Sequence, residues 1–346
     1  MNAPQGLWGQ ETKHFHLLTP EHVLDASEIF GVRLTGRALP LNSLENRVYD
    51  VELAKEFDAE PGFSKTNIIL KFYRPGRWSK EQIQEEHNFL STLLEFEVPV
   101  VAPLEIKGAT LHVHEETNLY FAIFPKVMGR MKDEFNKEEL EQAGRLIGRI
   151  HNVGSMGSFT HRLKLHPSTF VEASRHSLMQ QNTIEHHLSF KYYCDLLEHL
   201  NNLISPLFTN LPVQRLHGDF HRGNIVWTSA GPFAVDFDDC LTGPIEQDLW
   251  LILPGIDSYS EEDRDRFLKT YLEMTRKDRV SLARLTEPLR AMRMVHFNAW
   301  IAKRWDDHSF QRIFPQFPTS NYWDQQLIDL RMQMSLIQDK LGMDLE

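Results

Sequence analysis

Cysteine is nearly absent. Cys194 and Cys240 are the only two in 346 residues and form no C-x-x-C spacing, so neither a disulfide framework nor a cysteine zinc site is expected, and a reducing cytoplasm is the natural compartment. Long apolar runs are missing too. No stretch approaches the ~20 residues of a membrane span, and the N-terminal MNAPQGLWGQETKHFHLL has neither a basic n-region nor a continuous apolar h-region. A soluble, unsecreted protein is expected. Positive charge is in deficit, with 37 Lys and Arg against 48 Asp and Glu for a net charge of -11. That argues against broad affinity for nucleic acid or an anionic membrane, whose surfaces are themselves negative. Neither G-x-G-x-x-G nor G-x-x-x-x-G-K-[ST] occurs, so a glycine-rich backbone cradle of either standard kind is excluded. Internal repeats and low-complexity tracts are likewise lacking.

What is present is the composition of an ordinary globular protein, 41% hydrophobic and 25% charged, long enough for two lobes and a large core. RVYDVEL (47–53) and TNIILKFYR (66–74) carry the β-branched and aromatic residues of strands around a polar, Gly- and Pro-containing loop. In SKEQIQEEHNFLSTLLEF, Ile83, Glu86, Phe89, Leu90, Leu93 and Leu94 recur at helical spacing behind a Ser79 cap. TLHVHEE and LYFAIF read as two more strands, and PKVMGR as a connector. Beyond it helices dominate. KEELEQAGRLIGRIHNVG has an apolar stripe of Leu140, Ala143, Ile147 and Ile150, with Gly144 and Gly148 offering close approach to a neighbour. Residues 184–205 and 260–305 read similarly. The expectation is an α+β chain, with a β-rich lobe over 1–128 and a mainly helical lobe over 129–346.

Chemistry concentrates in RLHGDFHRGNIVW (215–227), a polar loop set between apolar segments, followed by IVWTSAGPFAVDFDDC, a hairpin whose second strand ends in acids. The hairpin returns Asp236 towards Asp219 and Asn224. Two carboxylates and a carboxamide are hard oxygen ligands of the kind magnesium prefers when it also holds phosphate. Asn224 lies five positions after Asp219 and Asp236 seventeen after it, close to the spacing of a protein-kinase catalytic loop and its metal-binding Asp.

LHGDFHRGNIVW, VDFDD and GPIEQDLW resemble the H-G-D-x-H-x-x-N pattern of aminoglycoside phosphotransferase-like kinases. LNSLENRVY, KFYRPGRWS, EEHNFL, EVPVVAP and EPLRAMR resemble, more narrowly, the bacterial stress response kinase A (RdoA-type) family, and the likeness covers roughly residues 35–330. It implies a protein-kinase-like two-lobed fold and ATP- and Mg2+-dependent transfer of the γ-phosphoryl group to a hydroxyl. Protein Ser and Thr side chains would be the acceptors, with autophosphorylation, in a cytoplasmic stress response and as a monomer. Small alcohols such as an aminoglycoside, homoserine or a choline-like molecule are the alternative acceptors. By the same resemblance Asp219 would be the catalytic base, Asn224 and Asp236 would hold magnesium, and Lys71 would contact the α- and β-phosphates with Glu86, or failing that Glu85, as its ion partner. LNSLENRVY would cover the nucleotide with Ser43 near the phosphates and Asn42 and Asn46 as further donors. FPKVM, hence Lys126 and Val127, would meet the adenine, and Asp248 would steady the catalytic loop.

Plainer readings compete. A single Asp or Asn in a loop is usually a turn former or cap, and a lone strand Lys is often an edge charge. His217 and His221 alternate as zinc ligands can, but hydrogen bonds that fix the loop are their expected work. His112 and His114 read as a solvated strand face. Arg290, Arg293 and Arg304 invite a phosphate-binding reading, although Leu289, Met292, Val295, His296 and Ala299 form a core stripe that would make them mere flanks. Trp300 and Trp305 are candidates to wall a substrate groove.

Overall fold

A computed structural model describes Phe15 and residues 18–181, 187–252, 258–277, 282 and 284–342. The elements run α1 (Pro20–Glu28), β1 (Leu34–Pro40), β2 (Arg47–Leu53), β3 (Phe63–Phe72), α2 (Lys80–Glu95), β4 (His112–His114), β5 (Leu119–Val127), α3 (Lys137–Gly154), α4 (Ala173–Met179), α5 (Leu188–Ile204), β6 (Gln214–Leu216), β7 (Ile225–Thr228), β8 (Gly231–Ala234), β9 (Leu241–Gly243), α6 (Glu246–Ile252), α7 (Ser258–Thr275), α8 (Thr286–Lys303), α9 (His308–Ile313) and α10 (Ser320–Leu341). The first five strands form one antiparallel sheet in the order β1-β2-β3-β5-β4. The helical remainder carries two short two-stranded ribbons, β6-β9 and β7-β8. An antiparallel sheet followed by a helical part is the expected fold class.

The period-2 alternation of β3 decides what each side of the sheet meets. Ile68, Leu70 and Phe72 are fully buried with Val23 and Ala26 of α1. Ile69, Lys71 and Tyr73 turn to the opposite side, where Tyr73 joins Ile83, Phe89, Leu90 and Leu93 of α2 in a different core. That second core continues into Leu140, Ile147 and Ile150 of α3 and on to Phe220, Ile225 and Phe237. The sheet, the α2–α3 layer and the polar loop therefore share one continuous apolar body. A third cluster packs α4, α5, α8 and α10 around Trp323.

α2 opens as the Ser79 cap predicts. The Ser79 hydroxyl accepts the Gln82 N–H and the Gln82 side chain accepts the Ser79 N–H, a capping box. α3 meets α7 closely at Gly144 and Gly148. A Cβ at Gly144 would run into the Phe267 carbonyl and Thr270, and one at Gly148 would lie 2.8 Å from Met274 Cβ.

Several local expectations are corrected. Pro125, Lys126 and Val127 continue β5 rather than leaving it. β4 pairs with β5 only over Leu119–Phe121, so a strand residue without an N–H loses no ladder bond further on. His114 is buried, not solvated, because α1 lies over it and Asp25 bonds its Nε2 at 2.9 Å. His112 is partly buried. Leu94 is 48% exposed at the last turn of α2, while Glu86 and His87 take the buried positions.

Candidate active site

The polar loop is held from beneath by one carboxylate. Asp248 in the first turn of α6 is fully buried, and its two oxygens accept the His217 N–H at 2.9 Å and the Gly218 N–H at 2.8 Å. His151 Nε2 reaches the same group at 3.1 Å. Gly218 adopts φ +88 with the Asp239 carbonyl pressed against the place a Cβ would occupy, so both conformation and space demand glycine. Its carbonyl accepts from Gln247 at 2.9 Å.

Both loop histidines serve geometry. His217, fully buried, accepts the Asp219 N–H on Nδ1 and donates from Nε2 to the Val235 carbonyl at 2.9 Å. His221 accepts the Gly223 N–H on Nδ1 and brings Nε2 to 3.3 Å from Asp219 Oδ2. Among the described residues no group of three or more His, Cys, Asp and Glu is arranged to hold a metal ion, and the zinc reading of this pair finds no third ligand.

The loop and hairpin bring Asp219, Asn224 and the segment that carries Asp236 together. Asn224 donates its Nδ2 to the Asp219 carbonyl at 2.9 Å, and its own carbonyl accepts the Val235 N–H at 3.0 Å. A carbonyl can only accept, so the Asn224 amide nitrogen is fixed towards Asp219 and the side-chain oxygen is left as a potential ligand. Asp236 sits at φ 60 and ψ 66, left-handed backbone that Asp tolerates better than most residues. Its side chain is 59% exposed and faces Lys71 Nζ at 3.6 Å. A hard divalent cation that keeps waters and phosphate oxygens needs one or two such protein oxygens rather than a full cage, and this pair fits that requirement.

Lys71 is placed by β3 against α2. Its ammonium lies 3.6 Å from Glu86 Oε1, as the sequence suggests, and 2.9 Å from Asp238 Oδ1, a partner that the local sequence does not announce. Burial pulls the lysine pKa down, but Asp238 and Glu86 outweigh it and hold the group above its ordinary value, hence charged. Glu85 is not a partner of Lys71, because its carboxylate caps the backbone N–H groups of Thr160, His161 and Arg162 at 2.6–2.8 Å. Arg162 completes the far side, donating to Glu86 at 2.7 Å and to the Asp238 carbonyl at 2.6 Å. Arg77 bonds Asp238 and Asp239. Burial alone would raise the Asp238 pKa, and Arg77, Lys71 and Arg162 instead press it far below the carboxylate range.

The loop between β1 and β2 comes down over this centre. Ser43 lines the cavity, and its hydroxyl accepts the Asn46 N–H at 3.3 Å. Asn42 is exposed, whereas Asn46 is buried with its side-chain oxygen on the Arg74 N–H at 3.1 Å. Glu45 is the anchor, taking Trp300 Nε1 at 2.7 Å and Arg304 Nη2 at 2.6 Å, both from the α8 region. Arg74 lies within reach of Glu45 and of Asp307 beyond α8.

A cavity of about 290 Å³ opens in front of Asp219. Ser43, Asp219, Asp236, Asp238 and Asp239 meet there with an apolar wall that includes Phe170, Met292, Phe297 and Trp300. Trp305 is not on that wall and packs on Phe317. Lys126 and Val127 also lie apart from it. Lys126 pairs with Asp50 at 2.6 Å, and Val127 pairs with Phe63 at the end of β5. The three arginines of the α8 region divide. Arg290 bonds Glu287 and stacks on Trp250, Arg304 bonds Glu45, and Arg293 Nη1 stands 2.6 Å from Asp219 Oδ1. Burial pushes the Asp219 pKa up, but His221 and Arg293 prevail and set it well below normal. Asp238 and Arg77 could have been suspected from the acid run DFDD and the RPGR turn. Nothing in the local sequence pairs Arg293 with Asp219.

Known proteins resemble this chain in both sequence and fold. The sequence model of the phosphotransferase enzyme family matches residues 38–290. Stress response kinase A of Escherichia coli (strain K12) is 35% identical over 94% of this chain and 95% of its own length. Serine/threonine protein kinase RdoA of Salmonella typhimurium (strain LT2) is 36% identical over 94% of this chain and 95% of its own. Among solved structures, a microcompartment-associated aminopropanol kinase superposes with a TM-score of 0.66 at 15% identity, covering 90% of this chain and 97% of that one. Amicoumacin kinase hAmiN, in complex with AMP-PNP, Ca2+ and Ami, gives 0.63 at 16%, covering 90% and 95%. These last two establish the kinase-like fold and nothing finer. The chain belongs to the phosphotransferase enzyme family and, within it, to the stress response kinase A family.

Proposed function

We infer that the chain is an ATP-dependent protein kinase, acting on Ser and Thr hydroxyls, itself included, with Mg2+ as the nucleotide's counterion. The observation that carries this reading is the placing of Lys71 Nζ 3.6 Å from both Glu86 and Asp236, with Asp236 and Asp219 on the wall of one cavity. Lys71 offers a fixed cation for the α- and β-phosphates, and Ser43 a hydroxyl over them. Asn224 and Asp236 would hold the metal, which when bound neutralises charge on the phosphate oxygens.

Asp219 receives the acceptor's proton. As the acceptor oxygen bonds to the γ-phosphorus, the bond from that phosphorus to the bridging oxygen breaks and ADP departs with the electron pair. Because the carboxylate is ionised, it is ready to accept a hydrogen bond and orient the hydroxyl. The protein-acceptor choice leans on the two relatives of about 35% identity, named as a stress response kinase and a serine/threonine protein kinase. The cytoplasm is the setting we propose for it, and among the described residues no helix is long and apolar enough to cross a membrane.

A second reading, a small-alcohol kinase, is favoured by the aromatic wall of the cavity, since Phe170, Phe297 and Trp300 suit a compact ligand. Incubation with γ-labelled ATP, protein acceptors and a panel of small alcohols decides between them. Label on Ser or Thr of protein is the expected result, and turnover confined to an alcohol would defeat the protein-kinase reading.

A further inference from the structure

Two arginines stand on the wall of the cavity, and they are bound very differently. The Arg77 side chain is 4% exposed and shared among Asp238, Asp239 and Glu45. The Arg293 side chain is 45% exposed and makes its ion pair with Asp219 Oδ1 at 2.6 Å. The other oxygen of Asp219 is 3.3 Å from His221 Nε2. An acceptor hydroxyl has to come within about 2.6–3.2 Å of this carboxylate, and on the Oδ1 side the guanidinium is already there. Whatever binds must come to terms with Arg293.

We propose that Arg293 determines acceptor specificity by selecting a hydroxyl that stands beside a carboxylate, as in an acidic peptide. The guanidinium turns from Asp219 to the acceptor's carboxylate while the hydroxyl takes its place on Oδ1. This rests on Asp219 being the base, as argued above. One ion pair is exchanged for another, so no charge is stranded. A neutral acceptor would leave the guanidinium without its anion, and a basic one would be repelled.

The surrounding charges make the choice matter. Glu45 is covered by Arg74, Arg77 and Arg304, Asp238 by Lys71 and Arg77, and Asp239 by Arg77. Asp236 faces Lys71. None of these carboxylates draws Arg293 away, yet together they would oppose an incoming anion unless a cation met it. The flat guanidinium fork can bind a carboxylate through two parallel hydrogen bonds, which an ammonium cannot reproduce.

The test measures kcat and KM for peptides that share one serine and differ only in Glu, Ala or Lys beside it, with glycerate and glycerol as a parallel pair. The wild-type protein should favour the Glu peptide over the Ala peptide by about tenfold, mostly in KM, the scale of one complementary charge pair. In Arg293→Gln that ratio should fall to about one, Arg293→Lys should keep part of it, and Arg293→Glu should turn the preference towards the Lys peptide. No preference for the carboxylate in either wild-type pair would overturn the proposal, and so would an Arg293→Gln ratio equal to wild type, which would leave Arg293 only the orienting of Asp219. Turnover of glycerate but of no peptide would keep the role of Arg293 and instead overturn the protein-acceptor reading.

Discussion

Lys71 Nζ and Asp238 Oδ1 meet at 2.9 Å, closer than the lysine comes to either Glu86 or Asp236, both at 3.6 Å. The lysine and Asp238 are almost fully buried, and Arg77 and Arg162 close the same network. An ion pair so removed from water adds little over a well-packed apolar pair, but breaking it from one side leaves a bare charge.

Asp238→Ala is therefore expected to destabilise the fold by about 3–5 kcal/mol. Denaturant unfolding monitored by tryptophan fluorescence gives the value, and a loss under about 1 kcal/mol would mean that water reaches the network.

Asp219→Asn and Asp236→Ala should fail in different ways. The first keeps Mg-ATP binding and lowers transfer by about 10²- to 10⁴-fold, the usual share of a positioned base. The second loses the metal-dependent part of nucleotide binding. Calorimetric titration beside a transfer assay separates them, and full binding together with full transfer by both variants would contradict the assigned roles.

Acid should weaken the protein before its carboxylates titrate. His87 is buried, with Tyr73 on Nε2 at 2.8 Å and Thr110 on Nδ1 at 2.9 Å. Burial first, and Lys71 and Arg162 next, lower its pKa to about 3. An unfolded histidine takes its proton near pH ~6.5, so the unfolded chain binds a proton that the folded one refuses. The resulting stability is complete above that pH and is lost as the pH falls towards 3, at about 1.4 kcal/mol per unit. Unfolding free energy measured from pH 7 to 5 should slope downwards, and His87→Gln should flatten the slope. An unchanged slope would assign the acid sensitivity elsewhere.

Gly144→Ala sets two effects against each other. Alanine gains about 1 kcal/mol of helix propensity, but its methyl would meet the Phe267 carbonyl and Thr270 of α7. Overpacking against backbone typically costs about 1–3 kcal/mol. A net loss of stability with a lower Tm is expected, and a Tm gain would show that α3 and α7 can slide apart.

Local pattern is legible in the sequence wherever chemistry and period coincide. The alternation in IILKFYR turns Lys71 towards α2, Ser79 and Gln82 form the expected box, and the hairpin after Asn224 brings Asp236 back to the loop. What the sequence concealed are relations between distant segments. Asp238 looks like one acid of a surface run until the sheet is folded over it, and Glu85 and Glu86 are adjacent letters whose tasks differ because a helix turns about 100° per residue. His114 is buried by α1, and Arg293 reaches Asp219 across 74 residues.

Glu45 ties the connection between β1 and β2 to Trp300 and Arg304 near the end of α8. The loop over the cavity is thus moored to α8 by a polar rivet that bypasses the intervening chain. Whatever shifts α8 is therefore passed to that loop directly, through contacts between residues 255 and 259 positions apart in the chain.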